Sequence, residues 1–260
     1  MKTIAIMNNK GGVGKTVTAL NMADILVNVY HKRVVLVDCD GQANLTRTLL
    51  PGEAGSGCLC TADVLCGRGE ALWLDNLVPV IPGLDLLTGS PDLYSLDLNA
   101  LTDGPSNPHA LRGFADAARE DGETDYMIFD CPPGFTVASV AALMAADEVV
   151  VPMALDGFSF DGVNSLRDQI TNLQHANYRV RIAGILITKW ANTQAVRESE
   201  QLLRSGDLPV YKTHIRQTPK VVESTLMREP LRMYSPQSGP ARDYLAWVAE
   251  FLGEEAQGRG

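Results

Sequence analysis

The sequence predicts a single α/β domain, built on a mostly parallel twisted sheet flanked by helices. Three observations carry that expectation. Short apolar, β-branched runs alternate with segments of helical spacing along the chain. The first run, Thr3–Met7, passes directly into a glycine-rich stretch, NNKGGVGKT. Two later apolar runs each end on an aspartate, Asp38 and Asp130. With 260 residues, 45% of them hydrophobic, the chain can bury a full core.

Taken in order, the expected strands are Thr3–Met7, Val34–Val37, Tyr126–Phe129, Glu148–Val151, Ile182–Ile187 and Val210–Tyr211. The first helix begins at Lys15-Thr16 and runs to Tyr30, because Leu20, Ala23, Val27 and Tyr30 recur at helical spacing. Residues 51–125 are punctuated by Pro51-Gly52, Pro82-Gly83 and Gly104-Pro105. They contain two apolar pieces, Leu77–Val80 and Leu84–Leu87, that read as a hairpin placing an antiparallel edge on the sheet. ARDYLAWVAEFL is a helix near the C-terminus. The domain spans residues 1–253, and residues 254–260 form a polar, frayed tail. No linker divides the chain.

The stretch from Lys10 to Val17 carries the chemistry. Gly11, Gly12 and Gly14 allow backbone N–H groups to turn inward around Val13, and the following helix N-terminus adds its dipole. Lys15 is placed to reach the β- and γ-phosphates of a nucleotide, and the Thr16 hydroxyl to ligate Mg²⁺. The fold class is therefore a single-domain P-loop NTPase. In VVLVDCDGQANLT, the apolar run delivers Asp38 and Asp40 beyond the carboxyl end of a strand, where parallel sheets bind ligands. In YMIFDCPPG, Asp130 closes a strand as a Walker B acid that holds the metal, and the prolines and glycine after it form a nucleotide-sensing switch. The four histidines fall in no catalytic grouping.

Five scattered cysteines argue against a disulfide scaffold and for a reducing compartment. Cys58, Cys60 and Cys66 lack a nearby fourth ligand and read as packing residues rather than a metal knuckle. No apolar stretch approaches the length of a bilayer span, so a soluble, cytoplasmic protein is expected. The net charge of −9 disfavours nucleic acid, yet its distribution does not. From Arg179 to Arg242, eleven Lys and Arg face five Asp and Glu; the remainder carries 11 bases and 26 acids. A basic final third can supply a patch for a polyanion.

KGGVGKT, from Lys10 to Thr16, is the deviant Walker A motif. The chain resembles the ParA-type partition ATPases, relatives of MinD, over roughly residues 2–253. DCDGQANLT is similar to that family's D-x-D-P-Q-G-N-x-T segment, FDCPPG to its D-x-P-P switch, and PVYKTHIRQTPKVVES to its T-x-I-P-R…E-A segment. VVVPMALDGFSFDGVNSL is similar to the stretch after its next strand. The resemblance implies that Lys10 crosses to a partner subunit's nucleotide, so that ATP holds a homodimer together. It implies that Asp40 orients the attacking water, with Lys10 and Lys15 as the other catalytic groups. Metal ligation then falls to Thr16, Asp38 and Asp130. It also implies ATP-dependent, non-specific DNA binding, association with the nucleoid, and a ParB-like centromere-binding partner that stimulates hydrolysis. Lys189, Arg197, Arg216, Lys220, Arg228 and Arg232 are the expected DNA contacts.

Three departures stand out. Gly41 replaces the family's Pro, Ala43 its Gly, and Arg216-Gln217 its Pro-Arg beside the adenine. The guanine-reading T-K-x-D pattern fails at Ala191, which favours ATP. Because the chain starts at the first strand, no N-terminal helix-turn-helix is expected. A MinD-like membrane role calls for a basic amphipathic C-terminal helix, whereas DYLAWVAEFLGEEAQGRG is acidic. An iron–sulfur electron carrier needs subunit-bridging cysteines farther along the loop than Cys131. A related ATPase could instead position a protein cluster or conjugation complex.

Overall fold

The computed structural model describes residues 1–52, 58–68, 74, 75, 77–102, 107–155, 159–175, 177 and 179–253. The expected tail, residues 254–260, lies outside them, as do Gly104-Pro105 and the start of the DGFSFDG stretch. Apolar runs buried on both sides make the central strands. These are β1 (Lys2–Ile6), then after α1 (Lys15–Asn28) β2 (Val34–Asp38). The segment that follows holds α2 (Asn44–Leu49), α3 (Thr61–Leu65), the hairpin β3 (Val78–Ile81) and β4 (Leu84–Leu87), α4 (Asp92–Thr102) and α5 (Ala110–Asp121). Then come β5 (Tyr126–Asp130), α6 (Val137–Ala145), β6 (Glu148–Ala154), α7 (Ser159–Leu173), β7 (Arg181–Trp190), α8 (Gln194–Arg204) and β8 (Val210–Arg216). Helices α9 (Pro219–Met227), α10 (Leu231–Tyr234) and α11 (Gly239–Phe251) complete the described chain.

The sheet order is β3-β4-β2-β5-β1-β6-β7-β8. Every pairing is parallel except β3–β4, so the expected hairpin does form the antiparallel edge. Alternation sorts side chains to two faces. Ala5, Val35, Val37, Met127 and Phe129 enter the core under α5 and α6. Ile4, Ile6, Leu36 and Ile128 enter the core under α1 and α11, where Trp247 and Tyr244 are fully buried.

Several element boundaries differ from expectation: α1 stops at Asn28 rather than Tyr30, β6 runs on to Ala154, and two strands at one edge of the sheet extend well past the apolar run. β8 continues five residues past Tyr211, through the polar run Lys212–Arg216. It is an edge strand, and its outward amides are taken by carboxylates of α11: Glu250 accepts from Lys212 N and Thr213 N, and Asp243 accepts from Arg216 N at 3.0 Å. Polar residues are tolerated there because a helix distant in sequence satisfies the backbone. β7 likewise extends to Trp190, whose carbonyl accepts from Gln217 N at 2.8 Å.

Candidate functional site: a phosphate cradle facing two buried acids

β1 lies between β5 and β6, where the chain crosses from one half of the sheet to the other. The loop after β1 therefore opens at the carboxyl edge of the sheet, at a topological switch point. Gly12 and Gly14 have φ of 72° and 89°, values that only glycine adopts without strain. No side chain caps α1 after Gly14, so its first amides are left to an anion. The loop is braced from behind. Asn8 Nδ2 donates to Pro152 O of β6 at 2.7 Å, and Thr188 Oγ1 of β7 donates to Val13 O at 2.8 Å. Lys15 is 7% exposed, and its Nζ donates to the loop's own carbonyls, Asn8 O at 3.1 Å and Lys10 O at 2.9 Å. Burial pushes its pKa down, while Asp130, Cys131 and Asp40 pull it back up.

The strand register sets the acids opposite this loop. Asp38 and Asp130 are direct partners in the β2–β5 pairing, so both carboxyls stand at one level. Asp38, fully buried, is saturated with hydrogen bonds. Its Oδ2 accepts from Thr46 N at 2.9 Å and Thr46 Oγ1 at 2.7 Å, and its Oδ1 accepts from Asp40 N at 3.2 Å. Asp130 is the opposite case: 1% exposed, with neither carboxylate oxygen hydrogen-bonded. Burial raises both pKa values, Asp130 well above the carboxylate range; the Asp38 charge lifts Asp130 further, Asp40 lifts both, and Thr16 and Lys15 only partly offset this at Asp130. An orphaned buried carboxylate beside a hydroxyl and a second acid fits a hard, oxygen-ligated cation such as Mg²⁺.

Asp40, half-buried, begins a tight turn: its Oδ1 accepts from Gln42 N at 2.8 Å and its carbonyl from Ala43 N at 2.8 Å. Ala43 closes that turn at φ 51°, a left-handed conformation that suits the family's Gly better. Lys15, Thr16, Asp40, Asn44 and Pro133 line one cavity of about 410 Å³. A second, of about 350 Å³, lies between Val13, Val17, Ile215, Gln217 and Tyr244. The two share Gly14, Val17, Lys189, Val221 and Val222 as walls. Together they form a cleft with a charged end for phosphates and an apolar end for a base.

The six expected DNA contacts disperse. Lys189 lines both cavities, at φ 52°. Arg216 pairs with Asp243 at 2.6 Å, and Lys220 with Glu223 at 2.7 Å. Arg232 is a structural group: its three-quarters-buried guanidinium clamps Asp24 with bonds of 2.8 and 2.9 Å, tying α10 to α1. Arg197 of α8 donates to Asn192 Oδ1 in the loop before that helix, and Arg228 ends α9 at φ 58°. Of the cysteines, Cys60 and Cys66 cap the two ends of α3, and Cys58 is exposed.

Several site residues escaped the sequence reading. Gly89, after β4, lies against Asp38 so closely that a Cβ would stand 2.7 Å from its Cγ. Gly89 N donates to Thr46 Oγ1 at 2.9 Å, and Thr61 Oγ1 donates to Asp38 O at 2.8 Å. Thr61 and Gly89 thus form part of the floor under the acids. Thr46 alone was signalled, by its place in DCDGQANLT.

The chain is similar to known proteins along nearly its whole length. An AAA domain family model matches residues 1–182. The chain is 31% identical to chromosome partitioning protein ParA of Caulobacter vibrioides, over 98% of this chain and 95% of that protein. It is 33% identical to the chromosome-partitioning ATPase Soj of Thermus thermophilus, over 97% and 96%. The structure of cobyrinic acid a,c-diamide synthase from Mycobacterium smegmatis, with bound ADP and magnesium, superposes with a TM-score of 0.79 at 27% identity, covering 97% and 94% of the two chains. Identity of 31–33% to ParA and Soj over nearly the whole length of each chain makes this chain a member of the ParA-type partition ATPases.

Proposed function

We propose that the chain is a Mg²⁺-dependent ATPase whose ATP-bound homodimer binds DNA without sequence preference. Its task is to partition or position DNA together with a ParB-like, centromere-binding protein. The observation that carries this reading is Asp130, buried without a hydrogen-bond partner beside Asp38 and facing Lys15. That is a cost a fold bears where a cation and a polyphosphate are to sit.

Lys10 through Val17 wrap the phosphates. Lys15 leaves the carbonyls of Asn8 and Lys10 for the terminal phosphates, and Thr16, Asp38 and Asp130 hold the metal, directly or through its water shell. Bound Mg²⁺ supplies neutralisation of the phosphate charge. Asp40, on the turn at the cleft mouth, orients the attacking water. Lys10 reaches the nucleotide of a second copy, so ADP loosens the dimer. The apolar cavity between Val13, Ile215 and Tyr244 suits adenine. Arg197 and Arg228 are the exposed cations best placed among the expected six to meet phosphates. Lys189 belongs to the nucleotide cleft, and Arg216, Lys220 and Arg232 to ion pairs. The setting is the nucleoid; among the described residues no helix is long and apolar enough to cross a membrane.

The test is binding of unrelated duplex DNA at several salt concentrations, with ATP, ADP or no nucleotide, using wild type and Asp40→Ala. Binding confined to ATP, steeply weakened by salt and retained by a non-hydrolysing Asp40→Ala supports the reading. ATP-dependent dimers that bind no DNA at any salt would remove the nucleoid and keep only the ATP sandwich.

A further inference from the structure

One turn of α4 touches both loops that hold the acids. The Tyr94 ring lies flat on Gly41: a Cβ there would stand 2.7 to 2.9 Å from three ring carbons. The Tyr94 hydroxyl accepts from Gln42 Nε2, and Gln42 N in turn donates to Asp40 Oδ1 at 2.8 Å. Three residues on, Asp97 Oδ1 accepts from Val137 N at 2.8 Å. Val137 opens α6 and directly follows the Cys131–Thr136 loop that leaves Asp130. A carboxylate at that position fixes a helix N-terminus through its free amide and dipole. Residues 94 and 97 share one side of the helix, and the neighbouring Leu93 is buried. The contact also explains a departure in the sequence: a bulky residue at position 41 has no room beneath Tyr94.

We propose that Tyr94 and Asp97 are positioning residues that hold the Asp40 turn and the loop after Asp130 in one fixed arrangement for hydrolysis. Neither lines the nucleotide cleft; each acts through a neighbour. The proposal rests on the reading of Asp40 as the group that orients water. Its physical basis is that misplacing a reacting group by about 1 Å costs up to ~100-fold in rate, with substrate binding untouched.

The experiment is steady-state ATP hydrolysis and ATP binding by calorimetry with Tyr94→Phe, Tyr94→Ala, Asp97→Ala, Gly41→Ala, the Gly41→Ala/Tyr94→Ala pair and Asp40→Ala. Tyr94→Phe and Asp97→Ala are expected to lower kcat by about 3- to 10-fold while leaving the ATP Kd within about 2-fold. Gly41→Ala is expected to slow the wild type but to add nothing in the Tyr94→Ala background, because the added methyl clashes only with the Tyr94 ring. Wild-type kcat in Tyr94→Phe and Asp97→Ala, with Asp40→Ala inactive, would overturn the coupling and leave the Asp40 reading standing. Equal losses in kcat and ATP affinity would reduce both residues to structural roles and overturn it as well. An Asp40→Ala protein that hydrolyses ATP at the wild-type rate would remove the Asp40 reading and this proposal with it.

Discussion

The two ends of the cleft, the one proposed for phosphates and the one proposed for a base, are built on opposite electrostatic terms. At the phosphate end Lys15, Asp38 and Asp130 are all nearly or fully buried, and Asp130 has no hydrogen-bond partner. At the other end the walls are mostly apolar; of the cations lining it, Arg216 is closed in a pair with Asp243 and Lys189 is shared with the phosphate end. The phosphate end is thus destabilised as it stands and gains from ligands. The base end is complete in itself. Stability and chemistry have been divided between the two ends of one cleft.

Asp130→Asn breaks the contrast most sharply. Removing the buried charge is expected to lower hydrolysis by at least ~100-fold. The same change should stabilise the ligand-free protein by about 1–3 kcal/mol. Because burial raises this carboxyl's pKa, the native state binds a proton that the unfolded state has already lost. Stability conferred by the wild-type group therefore falls as pH rises from the ordinary carboxylate range through the raised value. The gain from Asn should accordingly be larger at pH 8 than at pH 5 in thermal melts. An unchanged or lowered Tm at pH 8 would show that Asp130 is not an uncompensated charge.

Gly89→Ala tests the floor beneath the acids. The added methyl must displace Asp38 or the β4 end, with an expected loss of about 1–3 kcal/mol in denaturant unfolding and slower hydrolysis. Full stability and activity would mean that the floor yields freely. Arg216→Ala should do least. Its guanidinium is 46% exposed, so the ion pair contributes about 1 kcal/mol or less, and the ATP Kd should move by under about 3-fold. A larger change in Kd would place Arg216 among the base-binding groups and soften the contrast.

The same division governed what could be read from the sequence. β1, β2, β5 and β6 were legible because strands covered on both faces must be continuously apolar, and Gly12, Gly14, Lys15 and the two strand-end aspartates because their chemistry is local. β8 was cut short because Lys212–Arg216 look polar until Glu250 and Asp243 arrive from α11. The floor of the site was illegible for a similar reason: Gly89, Tyr94 and Asp97 act on residues 40 to 53 positions away in the chain. Gly41, in place of proline, was the one visible mark of Tyr94. Charge counts along the chain also misled, since Arg216 and Arg232 find their acids at positions 243 and 24.

One feature of the loop bears on turnover. The Lys15 ammonium rests on the carbonyls of Asn8 and Lys10, two dipoles belonging to the loop itself. In the proposed role of Lys15, an incoming phosphate would exchange places with peptide oxygens rather than meet a bare cation, and the net gain on arrival would be the difference between two good partners. The reverse journey is eased equally, because the ammonium has somewhere to go the moment the product leaves. A protein that must grip and release repeatedly is served by a loop that carries its own counterweight.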